Sequence, residues 1–241
     1  MRPHAIRPRP DQVEELTRGL QLPLTEIAND HLQVIAEGLR RAFNDIRSQM
    51  PRIVTRGTEA EMTAHMETRL NRLLDQDPLL GQLVTNVARG KETISFNGAH
   101  LEKRPDLSIY LSNGFRGFPL VAEAKILDAP TSKTEALYCS HGLSRFIDGE
   151  YAWGTREAFM LAYVRDGTSI ETTLRPFLFA AKSQTPPGYM VEELPTPVVA
   201  GISDLARSRH GRKFTYINQA QSSGTPGSIS IWHLWLSCGT G

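Results

Sequence analysis

The sequence predicts an α/β fold: a mixed central β-sheet flanked by helices, with an added N-terminal helical segment. Three observations carry this. Apolar residues recur at helical spacing through residues 24–46 and again through 62–74. Clean alternation replaces that spacing at 106–111. Helix-like and strand-like runs then succeed one another as far as Ser228–Leu236, the pattern of a layered sheet rather than a bundle. Residues 1–54 read as a helical arm and 55–241 as the main domain.

In the arm, Leu24, Ile27, Ala28, Val34, Ile35, Leu39, Ala42, Phe43 and Ile46 form the apolar series, with Asp, Arg, Glu and Gln between them. Pro23 separates a short first helix from this longer one. Nothing in the arm suggests chemistry, and packing on the core or on a partner is its expected role. A second long helix begins near Thr58, a good N-cap, with Glu61 three positions on to complete a capping box. Its stripe runs through Met62, Met66, Leu70, Leu73 and Leu74, and Asp75-Gln76-Asp77-Pro78 stops or breaks it.

After Gly90 the pattern changes. Ile94-Ser95-Phe96 suits a short strand and Asp106–Leu111 a longer one. The turn residues Ser112–Gly117 and a further strand over Phe118–Leu127 then complete an antiparallel hairpin. Thr134–Phe146 suits a helix and Ala158–Val164 a buried strand. The proline-punctuated stretch Pro176–Pro197 has no clear assignment. Gln219–Gly227 is a polar loop, and Ser228–Leu236 is rich enough in β-branched and aromatic residues to be a late strand.

Bulk properties exclude several classes. The 241 residues are 40% hydrophobic and 22% charged with a formal net charge of +1, ordinary for a globular protein. No run approaches the roughly 20 apolar residues of a membrane-spanning helix. The basic start, Met1–Pro10, leads into no apolar signal region, so a cytoplasmic location and no membrane partner are expected. Cys139 and Cys238 match no zinc or disulfide framework and are expected as free thiols. Nucleotide-binding glycine loops, a Gly-x-Ser-x-Gly elbow and Cys-x-x-Cys pairs are missing.

Chemistry concentrates in the hairpin. Side chains two apart on a strand share a face, so Glu123 and Lys125 project together, flanked by Val121 and Leu127. Leu120, Ala122, Ala124 and Ile126 make the opposite face a surface for a helix to cover. An acid and a base between apolar neighbours are either a structural ion pair or a functional site, because isolated buried charge is costly. Asp106 favours the second. It follows Pro105 at the start of the partner strand and can approach Glu123 when the two strands pair. Converging carboxylates repel unless a cation lies between them. Oxygen-only ligation favours Mg²⁺, with Mn²⁺ as a substitute. Lys125 is then placed to orient water or offset developing charge, and the set suffices for phosphodiester hydrolysis.

Pro105-Asp106, followed seventeen positions later by Glu123-Ala124-Lys125, resembles the motif of the PD-(D/E)XK nuclease superfamily, the restriction-endonuclease-like fold. The resemblance covers roughly residues 55–165. It implies an α-β-β-β-α-β core, Mg²⁺ dependence and cleavage of nucleic acid, with Asp106 and Glu123 as metal ligands and Lys125 as the catalytic lysine. Many members add a glutamate from the preceding helix. Glu59 continues the Met62–Met66–Leu70 stripe whereas Glu61 lies about 200° away, so Glu59 is the candidate third metal ligand. DNA is the expected substrate in restriction, repair or phage defence, with a homo-oligomer or a partner protein supplying the targeting. An RNA-directed nuclease, and a non-catalytic binding module with an internal Glu123–Lys125 ion pair, are the alternatives.

Other polar residues carry weaker expectations. Tyr138, His141, Arg145, Asp148 and Tyr151 cluster around the helix after the Glu123 strand. The first three are at helical spacing, so one face either contacts phosphate or pairs locally, and Asp148-Gly149 reads as the turn that follows. Arg207, Arg209, His210, Arg212 and Lys213 form the densest basic run, read as a glycine-containing loop that either contacts phosphate or is solvated. His210 within it is a further candidate to reach the metal. His233 alternates with Ile229, Ile231 and Trp235 and reads as a hydrogen-bonded core histidine. Trp232 and Trp235 point to opposite faces and read as packing.

Overall fold

The computed structural model describes residues 10–99, 103–216 and 224–239. Two helices, α1 (Pro10–Thr17) and α2 (Asn29–Gln49), lead the chain. Leu32, Ile35, Leu39, Phe43 and Ile46 form the buried stripe of α2, repeating at the three- and four-residue steps that keep one helical face inward. The short α3 (Pro51–Arg56) starts at a proline, where the missing N–H costs no helical bond. Helix α4 (Glu59–Gln76) begins with the reciprocal cap expected from the sequence. Glu61 N–H donates to Thr58 Oγ1 at 3.2 Å, and Thr58 N–H donates to the Glu61 carboxylate at 2.7 Å. The helix stops at Asp77, whose carboxylate accepts from the first N–H groups of α5 (Pro78–Leu83).

Strands β1 (Val84–Arg89), β2 (Leu107–Leu111) and β3 (Leu120–Leu127) form an antiparallel meander. One interrupted helix crosses over from β3: α6 (Glu135–Tyr138), a π-helical segment Cys139–Leu143, and α7 (Ser144–Ile147). It delivers β4 (Glu157–Val164) parallel to β3. A π-helical turn at Ile170–Leu174, helix α8 (Arg175–Lys182) and strands β5 (Val191–Pro197) and β6 (Leu205–His210) follow. Strand β7 (Ile229–Ser237) then inserts between β4 and β6, parallel to β4. The sheet is therefore seven-stranded and mixed, in the order β1-β2-β3-β4-β7-β6-β5, as the α/β prediction required at this level. Among the described residues no helix is long and apolar enough to cross a membrane.

Each face of the sheet has its own core. Helices α2 and α4 cover the face formed by Ile109, Ala122, Ala124, Ile126, Phe159, Leu161, Trp232 and Leu234. The α6–α7 crossover and α8 cover the other, formed by Val121, Leu127, Met160, Ala162, Ile231 and Trp235. The two tryptophans thus pack on opposite faces, and both cysteines are free and buried.

Two expectations need correction, and one unassigned stretch takes a definite form. Ile94–Phe96 is not a strand. The first strand is β1, where a bulge between Val84 and Asn86 breaks the alternation that would have revealed it. The basic run does not lie wholly in a loop: Leu205–His210 is β6, with buried Ala206, Ser208 and His210 alternating with exposed Arg207 and Arg209. The proline-rich stretch holds α8 and β5. Of the expected polar loop Gln219–Gly227, Gln219–Ser223 lie outside the described residues.

Candidate active site

The site forms where β2 and β3 part. Pairing between them begins at Leu107 opposite Ala122, so the rest of β3 runs past the start of β2. Two carboxylates satisfy the N–H groups on that edge instead. Ala124 N–H donates to Asp106 Oδ2 at 2.8 Å, and Ile126 N–H donates to Glu59 Oε1 at 3.1 Å. Asp106 is held by its position immediately before β2, and Glu59 by being the first residue of the capped α4.

Glu123 and Lys125 point to the α6–α7 side of the sheet. Lys125 Nζ donates to Glu123 Oε1 and to the Ala124 carbonyl, both at 2.8 Å, and lies 3.6 Å from Glu59 Oε2. From α7, Arg145 Nη1 donates to Glu123 Oε1 at 3.0 Å and to the Tyr151 hydroxyl at 2.9 Å. Gly142 in the π-helical segment makes this close approach possible, because a Cβ there would lie 2.5 Å from Met160 Cε and 3.7 Å from Lys125 Cγ. Glu59, Asp106, Glu123, Lys125 and Arg145 are thereby gathered from α4, the start of β2, β3 and α7.

The electrostatics are those of crowded charge away from water. Glu123 is 2% exposed. Burial, and then the neighbouring Asp106 carboxylate, push its carboxyl up to about 7, against the pull of Lys125 and Arg145. Burial likewise raises Asp106, with Lys125 opposing. Burial disfavours the Lys125 ammonium, but Glu123 and Asp106 outweigh it and hold its pKa above the ordinary lysine value. The two acids are thus strained towards protonation while the lysine stays charged.

This donor set fits a divalent cation held by two carboxylates. Among the described residues Glu123 Oε2 is buried with no hydrogen-bond partner, an arrangement that a cation or its water would satisfy. Mg²⁺ commonly takes one or two carboxylates and completes its shell with water and phosphate oxygens. No three His, Cys, Asp or Glu side chains among the described residues converge in a metal-holding group. Glu59 spends one oxygen on Ile126 N–H and turns the other to Lys125, so it meets the cluster through the lysine rather than beside Asp106 and Glu123.

The remaining predicted residues separate. Tyr138, His141 and Arg145 do not share a face, because the π-helical segment shifts the helical phase. Tyr138 is fully buried, His141 is exposed with Ser140 Oγ 2.9 Å from its Nδ1, and Arg145 alone reaches Glu123. His210 does not reach the carboxylates. It is fully buried, with Nδ1 2.8 Å from the Tyr189 carbonyl and Nε2 2.7 Å from Ser208 Oγ. Burial drops its pKa to about 4, so it is a neutral core group. His233 continues the same buried chain between Ser208 Oγ (2.7 Å) and the Tyr138 hydroxyl (2.8 Å), as a core histidine should.

Arg212 donates to the carbonyls of Ala152, Trp153 and Thr155 and so fastens the loop before β4. Arg207 and Arg209 project from β6, three strands from β3 and on the face opposite Glu123. Arg209 pairs with Glu192 at 3.2 Å. The Lys213 side chain is exposed, and its N–H donates to the Ile147 carbonyl.

Two further residues belong to the site. Tyr151, which the sequence groups with that helix without giving it a role, supports Arg145 through its hydroxyl. Ser108, buried with an unpartnered Oγ among the described residues, was legible in principle. It lies two positions after Asp106 on the same strand face. The chain matches no family model, and no curated protein or solved structure matches it.

Proposed function

We propose that the protein is a Mg²⁺-dependent nuclease of the restriction-endonuclease-like type that hydrolyses phosphodiester bonds at Asp106, Glu123 and Lys125, with DNA as its substrate. The observation that carries this reading is the convergence of a buried carboxylate, Glu123, and a half-buried one, Asp106, both raised towards protonation, on a lysine that remains charged. Lys125 and Arg145 both engage one oxygen of Glu123, while its Oε2 is buried without a partner among the described residues and faces added repulsion from Asp106, which a bound cation would relieve. The succession of α4, β1, β2, β3, the α6–α7 crossover and β4 has the helix and strand order that the sequence motif implies, which supports the same reading.

Asp106 and Glu123 are the residues that would hold the ion, which when bound polarises the phosphoryl group and lowers the pKa of an attacking water. Lys125 stands on the strand face beside Glu123 and offers its ammonium to that water or to the charge developing on phosphate. Glu59 and Glu123 hold Lys125 between them, which keeps the ammonium at the β3 edge. Arg145 donates to the same Glu123 oxygen from α7, with Tyr151 fixing Arg145 in turn. Ligation of the ion by Glu59 as well would fall to its Oε2, the oxygen that faces Lys125, since Oε1 accepts from the Ile126 N–H.

Cleavage tests the proposal. Closed-circular DNA, supplied in single-stranded and in double-stranded form with Mg²⁺ or Mn²⁺, is expected to be cut in at least one form by the wild type. It should stay intact in EDTA and with Lys125→Ala. A folded wild type inactive on DNA and RNA with either metal would leave the non-catalytic binding module as the better reading. Cutting of RNA alone would move the substrate and keep the chemistry.

A further inference from the structure

The face that carries Asp106 and Glu123 extends into a groove that no step above uses. It measures about 460 Å³, and Lys91, Tyr110, Arg116, Phe118, Tyr151 and Trp153 wall it. Asp106, Ser108 and Tyr110 lie at alternate positions from the start of β2, and Val121 and Glu123 do the same on β3, with Ser108 opposite Val121. One line of side chains therefore runs from the carboxylates to the groove. Tyr151 belongs to both regions, lining the groove and bonding the Arg145 that holds Glu123.

The charge of the groove is unbalanced. Its two acids are engaged, Glu92 with Arg104 and Glu150 with Lys103. Its two exposed bases are not. Lys91 lies 4.9 Å over the Tyr110 ring, and Arg116 has no ion pair among the described residues. The polar atoms along the line are unsatisfied too: Ser108 Oγ, the Tyr110 hydroxyl and Glu123 Oε2 are buried with no partner among the described residues. Aromatic walls and unpaired cations together suit a ligand that has a flat ring and an anionic backbone.

From this we infer that the groove holds an unpaired nucleotide adjoining the scissile phosphate, so that the substrate is single-stranded nucleic acid or a single-stranded end. The inference rests on the nuclease reading for which phosphate lies next to the groove. The volume is in the range of small-ligand pockets, roughly 300–1,000 Å³, and suits one nucleotide. Bases in a duplex are stacked and paired, so an aromatic wall inside a groove reaches only a base that has left the stack. Lys91 and Arg116 then meet the flanking phosphates, and the Tyr110 face receives the base when Lys91 turns to the backbone.

Fluorescence anisotropy in EDTA, which separates binding from cleavage, tests this with labelled oligothymidylate, oligouridylate and a short duplex. The wild type is expected to bind one or both single strands about tenfold or more tightly than the duplex, a difference of about 1.4 kcal/mol. Lys91→Ala with Arg116→Ala changes only exposed side chains. A melting curve establishes that this variant is folded. It should weaken single-strand binding about tenfold and lower the salt slope by about 1.4, at about 0.7 for each lost phosphate contact. Arg209→Ala, on the far face, should bind like the wild type.

Equal or tighter duplex binding, or wild-type affinity in the folded double variant, overturns the inference. The two readings fail separately. A protein that binds single strands through Lys91 and Arg116 but cuts nothing loses the nuclease reading and keeps the groove. One that cuts DNA while the double variant binds normally loses the groove alone.

Discussion

Glu123→Gln should stabilise the metal-free protein, and only at high pH. Glu123 is almost wholly buried, and its carboxyl is raised from 4.5 to about 7. A carboxyl raised by folding binds its proton more tightly in the folded state. Its stabilising contribution is therefore complete below about pH 4.5 and is lost as pH rises through about 7. At about 1.4 kcal/mol per unit, the ionised form costs the fold on the order of 3 kcal/mol above that window. Glutamine has the shape of the protonated acid and can still accept from Lys125 or Arg145, so it escapes the cost.

Thermal melts in EDTA are the assay. Wild type and variant should nearly coincide at about pH 4.5 and separate progressively until, above about pH 8, the variant melts roughly 6–12 °C higher. Glu157, also raised to about 7 by burial, adds a slope common to both proteins that cancels in the difference. Mg²⁺ should narrow the gap by stabilising the wild type, by about 2.7 kcal/mol at a hundredfold excess over its dissociation constant. A variant less stable than wild type by some 3–5 kcal/mol at every pH would refute the reasoning. That is the cost of breaking a buried ion pair, and it would make Glu123 a structural partner of Lys125 and Arg145.

Three further outcomes follow from the same geometry. Thr58→Ala removes the cap that starts α4 and should cost about 1 kcal/mol in a denaturant titration. Because Glu59 is the first residue of that helix, the cleavage rate should fall as well. Ser208→Ala removes both hydrogen bonds that link His210 to His233, leaving two buried ring nitrogens short of a partner. At about 1–3 kcal/mol each, the midpoint should drop clearly while activity per folded molecule is unchanged. Gly142→Val drives a side chain into Met160 and towards Lys125, so cleavage kinetics should suffer more than the melting temperature.

The sequence made some of this legible because local rules and tertiary demands agreed. Thr58 and Glu61 cap α4 as their spacing requires, and the β2–β3 hairpin follows its alternation. The face shared by Glu123 and Lys125 is the one that alternation assigns. The failures have equally local causes. The β1 bulge hides a strand with few apolar residues. In β6 the alternation of Arg207 and Arg209 with Ser208 and His210 was present, but their charge suggested a loop. The π-helical segment at Cys139–Leu143 moved Tyr138, His141 and Arg145 off a common face, which no periodicity rule anticipates. Helical phase turns Glu59 towards the sheet, but its bonds to Ile126 N–H and Lys125 depend on how far β3 outruns β2.

The central claim is that Asp106 and Glu123 share one divalent cation. The most direct measurement is titration with Mn²⁺ followed by electron paramagnetic resonance of the free ion, on wild type, Asp106→Asn, Glu123→Gln and Lys125→Ala. The account predicts a tight Mn²⁺ site in the wild type that Mg²⁺ displaces, is retained in Lys125→Ala and is lost in both carboxylate variants. A wild type that takes up no Mn²⁺, or carboxylate variants that bind it as the wild type does, would contradict the account.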